Sequence, residues 1–90
     1  MQISAEDTAR ICSVSVFPNP TDGHVTVEIL GLELEKSAII VSDISGRNIV
    51  HLTEIEEINA LDITEQSAGI YFLRVKTGDE EITQFFFIVI

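Results

Sequence analysis

His24-Val25-Thr26-Val27-Glu28-Ile29-Leu30 decides the fold. Val25, Val27 and Ile29 fall at every second position and project to one side of an extended chain, while His24, Thr26 and Glu28 project to the other. That period of two is the mark of a strand buried on one face. Working outward, β-rich runs recur between turn residues at 12–17, 24–30, 37–43, 47–52, 58–63, 69–77 and 81–90. Seven short strands at this spacing predict an all-β antiparallel β-sandwich. In the sixth run Tyr71, Leu73 and Val75 share a face opposite Phe72, Arg74 and Lys76. Ala38-Ile39-Ile40-Val41 is apolar on both faces and predicts a more central strand. Helical spacing fits none of these runs well. The expectation is one domain over residues 12–90, preceded by a polar lead-in or linker over 1–11.

Ninety residues suffice for one compact domain. The 46% hydrophobic content can build its core despite a formal charge of −10, which takes the chain out of the disordered regime. Fifteen acids face five bases, and Arg10, Lys36, Arg47, Arg74 and Lys76 are scattered along the chain. Phosphate neutralisation needs clustered cations, so neither nucleic acid nor an anionic membrane surface is an expected partner. The lone Cys12 rules out an internal disulfide and a cysteine-based zinc site. No run of about 18–20 apolar residues is present to span a bilayer as a helix. The opening Met1-Gln2-Ile3-Ser4-Ala5-Glu6-Asp7 lacks the basic and apolar regions of a signal peptide. If the domain acts outside the cytoplasm, the chain is expected to be a fragment of a longer protein.

Three turn motifs punctuate the strands. In Phe17-Pro18-Asn19-Pro20-Thr21-Asp22-Gly23 two prolines remove two backbone donors and end the first strand. Asn19, before Pro20, is pushed toward an extended conformation, and Asp22-Gly23 supplies a tight turn with Gly23 free to take positive φ. Asp43-Ile44-Ser45-Gly46-Arg47 predicts a short hairpin loop with Gly46 in the left-handed region, Asp43 accepting backbone N–H bonds and Arg47 near enough to pair with it. Ala68-Gly69 turns the chain sharply into a strand, and Tyr71 follows. In immunoglobulin-like sandwiches a tyrosine at such a corner bonds back to upstream backbone. Each motif reads first as architecture.

No residue pattern points to catalysis. Cys12 and His24 form the only conceivable dyad, with no third group to orient them, and a buried, inert Cys12 is the expectation. Glu33, Glu35, Glu54, Glu56 and Glu57 match no calcium loop and read as a solvated acidic face. No cofactor or metal site is predicted. The final Phe85-Phe86-Phe87-Ile88-Val89-Ile90 is uncharged, and as a free edge it invites strand pairing and self-association. Alternation hides only one face of such a strand. The other must meet the second sheet, another copy or a receptor.

Taken in order, Ser13-Val14-Ser15-Val16-Phe17-Pro18-Asn19-Pro20-Thr21-Asp22-Gly23, Ile40-Val41-Ser42-Asp43-Ile44-Ser45-Gly46-Arg47, Leu61-Asp62-Ile63 and Ala68-Gly69-Ile70-Tyr71-Phe72-Leu73-Arg74-Val75 resemble one family. It is the type A C-terminal sorting domain of the type IX secretion system, the Por secretion tail of Bacteroidota-type bacteria. The likeness covers about residues 13–90. It implies a seven-stranded immunoglobulin-like sandwich that addresses an upstream cargo to the outer-membrane type IX translocation machinery. It also implies passage through the periplasm, then the cell surface or release, with a surface sortase-like peptidase removing the tail near or before residues 1–12. Family tails carry lysines in and after the last strand; this chain has Phe85 and Phe86 there and finishes on Ile90.

The expected recognition surface combines Phe85, Phe86, Phe87, Ile88, Val89 and Ile90 with the corners at Pro18, Asn19, Pro20, Asp22 and Gly23, at Asp43, Gly46 and Arg47, and at Gly69 and Tyr71. Strand addition and hydrophobic docking are both compatible with it. Two other classes compete: an accessory binding or adhesion module, and a spacer or dimerisation domain joined through the Phe-rich strand.

Overall fold

The alternating runs fold as their periodicity dictates. A computed structural model describes residues 12–78 and 80–89. The expected lead-in over 1–11 lies outside the described residues, as does Ile90. Seven strands follow in order: β1 (Ser13–Phe17), β2 (His24–Leu30), β3 (Ser37–Asp43), β4 (Asn48–Leu52), β5 (Ile58–Asp62), β6 (Gly69–Thr77) and β7 (Glu80–Ile88). Each lies within a residue or two of its sequence-based bounds. A single 3-10 turn, Leu34–Lys36, precedes β3. Among the described residues no helix is long and apolar enough to cross a membrane.

The strands form two antiparallel sheets, β1-β2-β5 and β4-β3-β6-β7. This is an immunoglobulin-like sandwich in which the fourth strand lies beside the third rather than beside the fifth. β3, apolar on both faces, is an inner strand, as expected. The longer of its two pairings is with β6, from Ser37 opposite Thr77 through Asp43 opposite Tyr71. Its pairing with β4 slips between Val41 and Ser42, which stand opposite Val50 and Asn48, so Ile49 is an extra residue bulging from β4.

Alternation fills the space between the sheets. Val25, Val27 and Ile29 of β2 face Ile39 and Val41 of β3 and Leu73 and Val75 of β6 across the core, all buried. Phe86 and Ile88 of β7 join them. The Phe86 ring, wholly buried, stacks on Tyr71 with ring centroids 5.8 Å apart. Burial of one such ring contributes about 1.5–3 kcal/mol. The terminal strand is therefore a structural member of the core, with one face hidden as its alternation requires.

The tyrosine corner is present. The buried Tyr71 hydroxyl donates to the Ser67 carbonyl at 2.5 Å, tying the start of β6 to the preceding connection. One expectation is corrected: Cys12 is only partly buried, because it precedes β1 at the rim, where its thiol lies 3.4 Å from the Gly31 carbonyl. The chain thus enters the sandwich beside Gly31, and β1 carries it to the opposite end, where residues 18–23 turn.

Candidate functional site

At the end reached by β1, residues 18–23 lie against the last strand. The two prolines cannot donate, so the loop's hydrogen bonding falls to Asn19 and Thr21. Both peptide bonds into the prolines, Phe17–Pro18 and Asn19–Pro20, are cis. The Asn19 side-chain amide donates to the Phe85 carbonyl at 3.3 Å, and its oxygen accepts the Phe87 N–H at 3.0 Å. Thr21 N–H donates to the Phe87 carbonyl and the Thr21 carbonyl accepts the Val89 N–H, each at 2.9 Å. Thr21 pairs with Ile88 as a short parallel bridge. Four backbone groups along the edge of residues 85–89 are satisfied in this way. The edge that the Phe-rich run would expose if left free is closed over its last five described residues.

The loop itself is braced from within. The Thr21 hydroxyl donates to the His24 carbonyl at 2.7 Å and accepts the Gly23 N–H at 3.1 Å. Gly23 has φ +117°, and a Cβ there would lie 2.7 Å from the Thr64 Cα, so only glycine fits. Its carbonyl accepts the Ile63 N–H at 2.8 Å, joining the loop to the end of β5.

Three aspartates cap turns at this end of the molecule, and each is held below the ordinary carboxylate value. Asp22 is lowered first by the His24 backbone N–H, 3.0 Å from its Oδ1, and next by the His24 ring at 3.1 Å. Asp43 is lowered chiefly by the Ser45 hydroxyl at 2.7 Å, with further help from the backbone N–H groups of Arg47 and Ser45. Asp62 is lowered by the Thr64 hydroxyl at 2.7 Å and then the Thr64 N–H. The expected Asp43 turn is therefore present, with Gly46 at φ +90° and the Arg47 guanidinium 3.3 Å from Asp43.

The positions of the expected recognition residues now follow. Asp43 stands opposite Tyr71, and Tyr71 opposite Phe86, so the 43–47 turn shares the end of the sheet with the last strand, one strand removed. Pro18, Asn19, Pro20, Asp22, Gly46, Arg47, Phe85, Phe87 and Val89 are exposed. Gly23, Tyr71, Phe86 and Ile88 are buried and act as supports. Gly69 is half-buried at the start of β6, and Ile90 lies outside the described residues.

Sequence reasoning missed Thr21, and missed Ile70 and Phe72, which add to the exposed apolar surface of Phe85 and Phe87. The signal for the latter pair was available: Ile70 and Phe72 are apolar at the outward positions of a run whose inward positions are apolar as well.

Among the described residues Cys12 and His24 are held apart. Cys12 lies at the Gly31 end of β2 and His24 begins that strand, about 20 Å or more away at the rise of an extended chain. Among the described residues no three His, Cys, Asp or Glu side chains are grouped to hold a metal.

What distinguishes this molecule is surface: an immunoglobulin-like module with one end stitched together and an aromatic outer face. The family model for the secretion system C-terminal sorting domain matches residues 15–89. The chain belongs to this family, whose members are C-terminal sorting signals for type IX secretion. No curated protein matches it. The family is not an enzyme family, and membership does not favour the adhesion or dimerisation alternatives. It implies an upstream cargo in the same polypeptide, interaction with the type IX machinery, and export ending at the cell surface or beyond.

Proposed function

We propose that residues 12–90 are the sorting unit, that 1–11 form the lead-in to the cargo, and that the stitched end of the sandwich is what the machinery reads. Phe85, Phe87 and Val89, with Pro18, Asn19, Pro20 and Asp22, supply the contact, and Asp43, Gly46 and Arg47 extend it along the same end. Gly23, Gly69, Tyr71, Phe86 and Ile88 hold that surface in shape, and Ile90 belongs to the same recognition segment. The observation that carries this reading is the pairing of Asn19 and Thr21 with residues 85–89, which joins two motifs far apart in sequence into one surface.

The cargo reaches the outer membrane from the periplasm, and the sorting unit has no catalytic part in its own delivery. A surface sortase-like peptidase cuts in the lead-in, ahead of the folded sandwich. Self-association through the terminal strand is disfavoured by the stitches on its edge. The test fuses the 90-residue chain to a signal-bearing reporter in a bacterium that has the type IX machinery. Reporter is expected at the cell surface, and is expected to be retained when the machinery is deleted. Retention in the intact strain would sink the proposal.

A further inference from the structure

We infer that the machinery reads this signal face-on, through an aromatic patch on the outer side of the four-stranded sheet, and not by adding a strand to its last edge. The inference rests on the sorting role proposed above and specifies how recognition is made.

The register builds the patch. Phe72 stands opposite Phe85 and Ile70 opposite Phe87, all four pointing away from the core because Tyr71 and Phe86 point into it. Phe85 and Phe87 meet edge to face, with ring centroids 6.1 Å apart. Exposure is 57% at Phe85, 39% at Phe87, and 38% at Phe72 and Ile70. Further along the same face the patch ends at charge: Arg74 lies 3.5 Å from Glu81 and 3.4 Å from the Asn48 amide oxygen. Four large apolar side chains on adjoining positions of two paired strands form a contiguous surface, unlike the isolated exposed apolar residues elsewhere.

The alternative mode is strand addition, which needs free backbone donors and acceptors on an edge. Over residues 85–89 those groups are engaged by Asn19 and Thr21. A receptor strand would first have to displace the 18–23 loop. Side chains remain open where backbone does not.

Size and charge select the occupant. At about 200 Å² per large side chain, the exposed fractions amount to roughly 350 Å². A stable dimer needs about 800 Å² from each partner. Two copies would also bring together two chains of formal charge −10. The patch instead fits the anchoring centre of a larger contact with a protein of the machinery. That protein offers an apolar concavity with a neutral or basic rim.

The test substitutes Phe72→Thr, Phe85→Thr and Phe87→Thr together in the reporter fusion, threonine being well suited to exposed strand positions. Surface reporter should fall at least about ten-fold, while circular dichroism and the urea midpoint of the 90-residue chain stay close to those of the parent. Phe85→Thr alone, at the most exposed position, should produce part of the fall if the triple variant is poorly folded. Delivery within about two-fold of the parent by both variants overturns the inference and leaves the sorting role standing, since the parent still delivers. Failure of the parent itself instead removes the sorting role. A dimer in sedimentation that the triple variant dissociates would assign the patch to a second copy and also overturn it. Increased delivery on Asn19→Ala, which frees the edge at Phe85 and Phe87, would point to strand addition and overturn it as well.

Discussion

The Asn19 side chain accepts the backbone N–H of Phe87 at 3.0 Å across 68 positions of sequence, and its amide donates to Phe85 on the same strand. One side chain thus serves as the missing neighbour strand for the end of β7. The donor-free prolines on either side leave Asn19 without competing N–H groups.

Asn19→Ala removes both bonds. Global stability should fall by about 1–2 kcal/mol, the usual range for two largely exposed hydrogen bonds. The local effect should be larger: the Phe87 amide should lose protection in hydrogen exchange well before the β3 and β6 amides do. Equal protection at Phe87 in variant and parent would refute the stitch.

Tyr71→Phe keeps the ring on Phe86 and loses only the hydroxyl bond to Ser67. The part-buried carbonyl is left without its donor, so urea unfolding should show a loss of about 1 kcal/mol or somewhat more. An unchanged midpoint would mean that the corner carries no stability.

Two glycines separate strain from collision. At Gly46, φ is +90° and the space beyond is open, so Gly46→Ala should cost about 1 kcal/mol from backbone conformation alone. At Gly23 the same change also drives a Cβ against the Thr64 backbone, and the cost should exceed about 2 kcal/mol. Parallel denaturation curves check the order. A reversal would mean that the 18–23 loop moves aside freely.

The turn-capping aspartates set the acid response. Asp22, Asp43 and Asp62 are held below their ordinary value of 3.8 in the fold, so below that pH the unfolded chain binds protons first. Their contribution is fully present above the unfolded value and is lost as pH falls through the lower folded values. The urea midpoint should therefore be insensitive to these groups from pH 7 to about 5 and decline below about 4. Asp43→Asn should flatten that decline. A variant with the same acid slope as the parent would remove Asp43 from the account.

Much of the fold could be read from local pattern. Val25, Val27 and Ile29 declare their buried face by spacing alone, and the doubly apolar stretch at 38–41 declares an inner strand. Tyr71 was legible because its partner, Ser67, is only four residues upstream. The bulge at Ile49 was not, since it depends on how two strands slip past each other rather than on either one. The grip of Asn19 on the last strand was hidden for the same reason: proline spacing forecasts a corner but not which distant backbone the corner meets. Cys12 was misread because residue type speaks for average burial, while its place at the rim follows from where β1 begins.

The chain enters beside Gly31, at the far end of β1 from residues 18–23. Five residues of extended backbone, about 17 Å, separate the two poles. Cys12, where the sandwich leads back toward an upstream cargo, and the recognition surface proposed above are therefore at opposite poles. A receptor docked on the proposed surface would meet the pole remote from Cys12, whatever the shape of the cargo ahead of it.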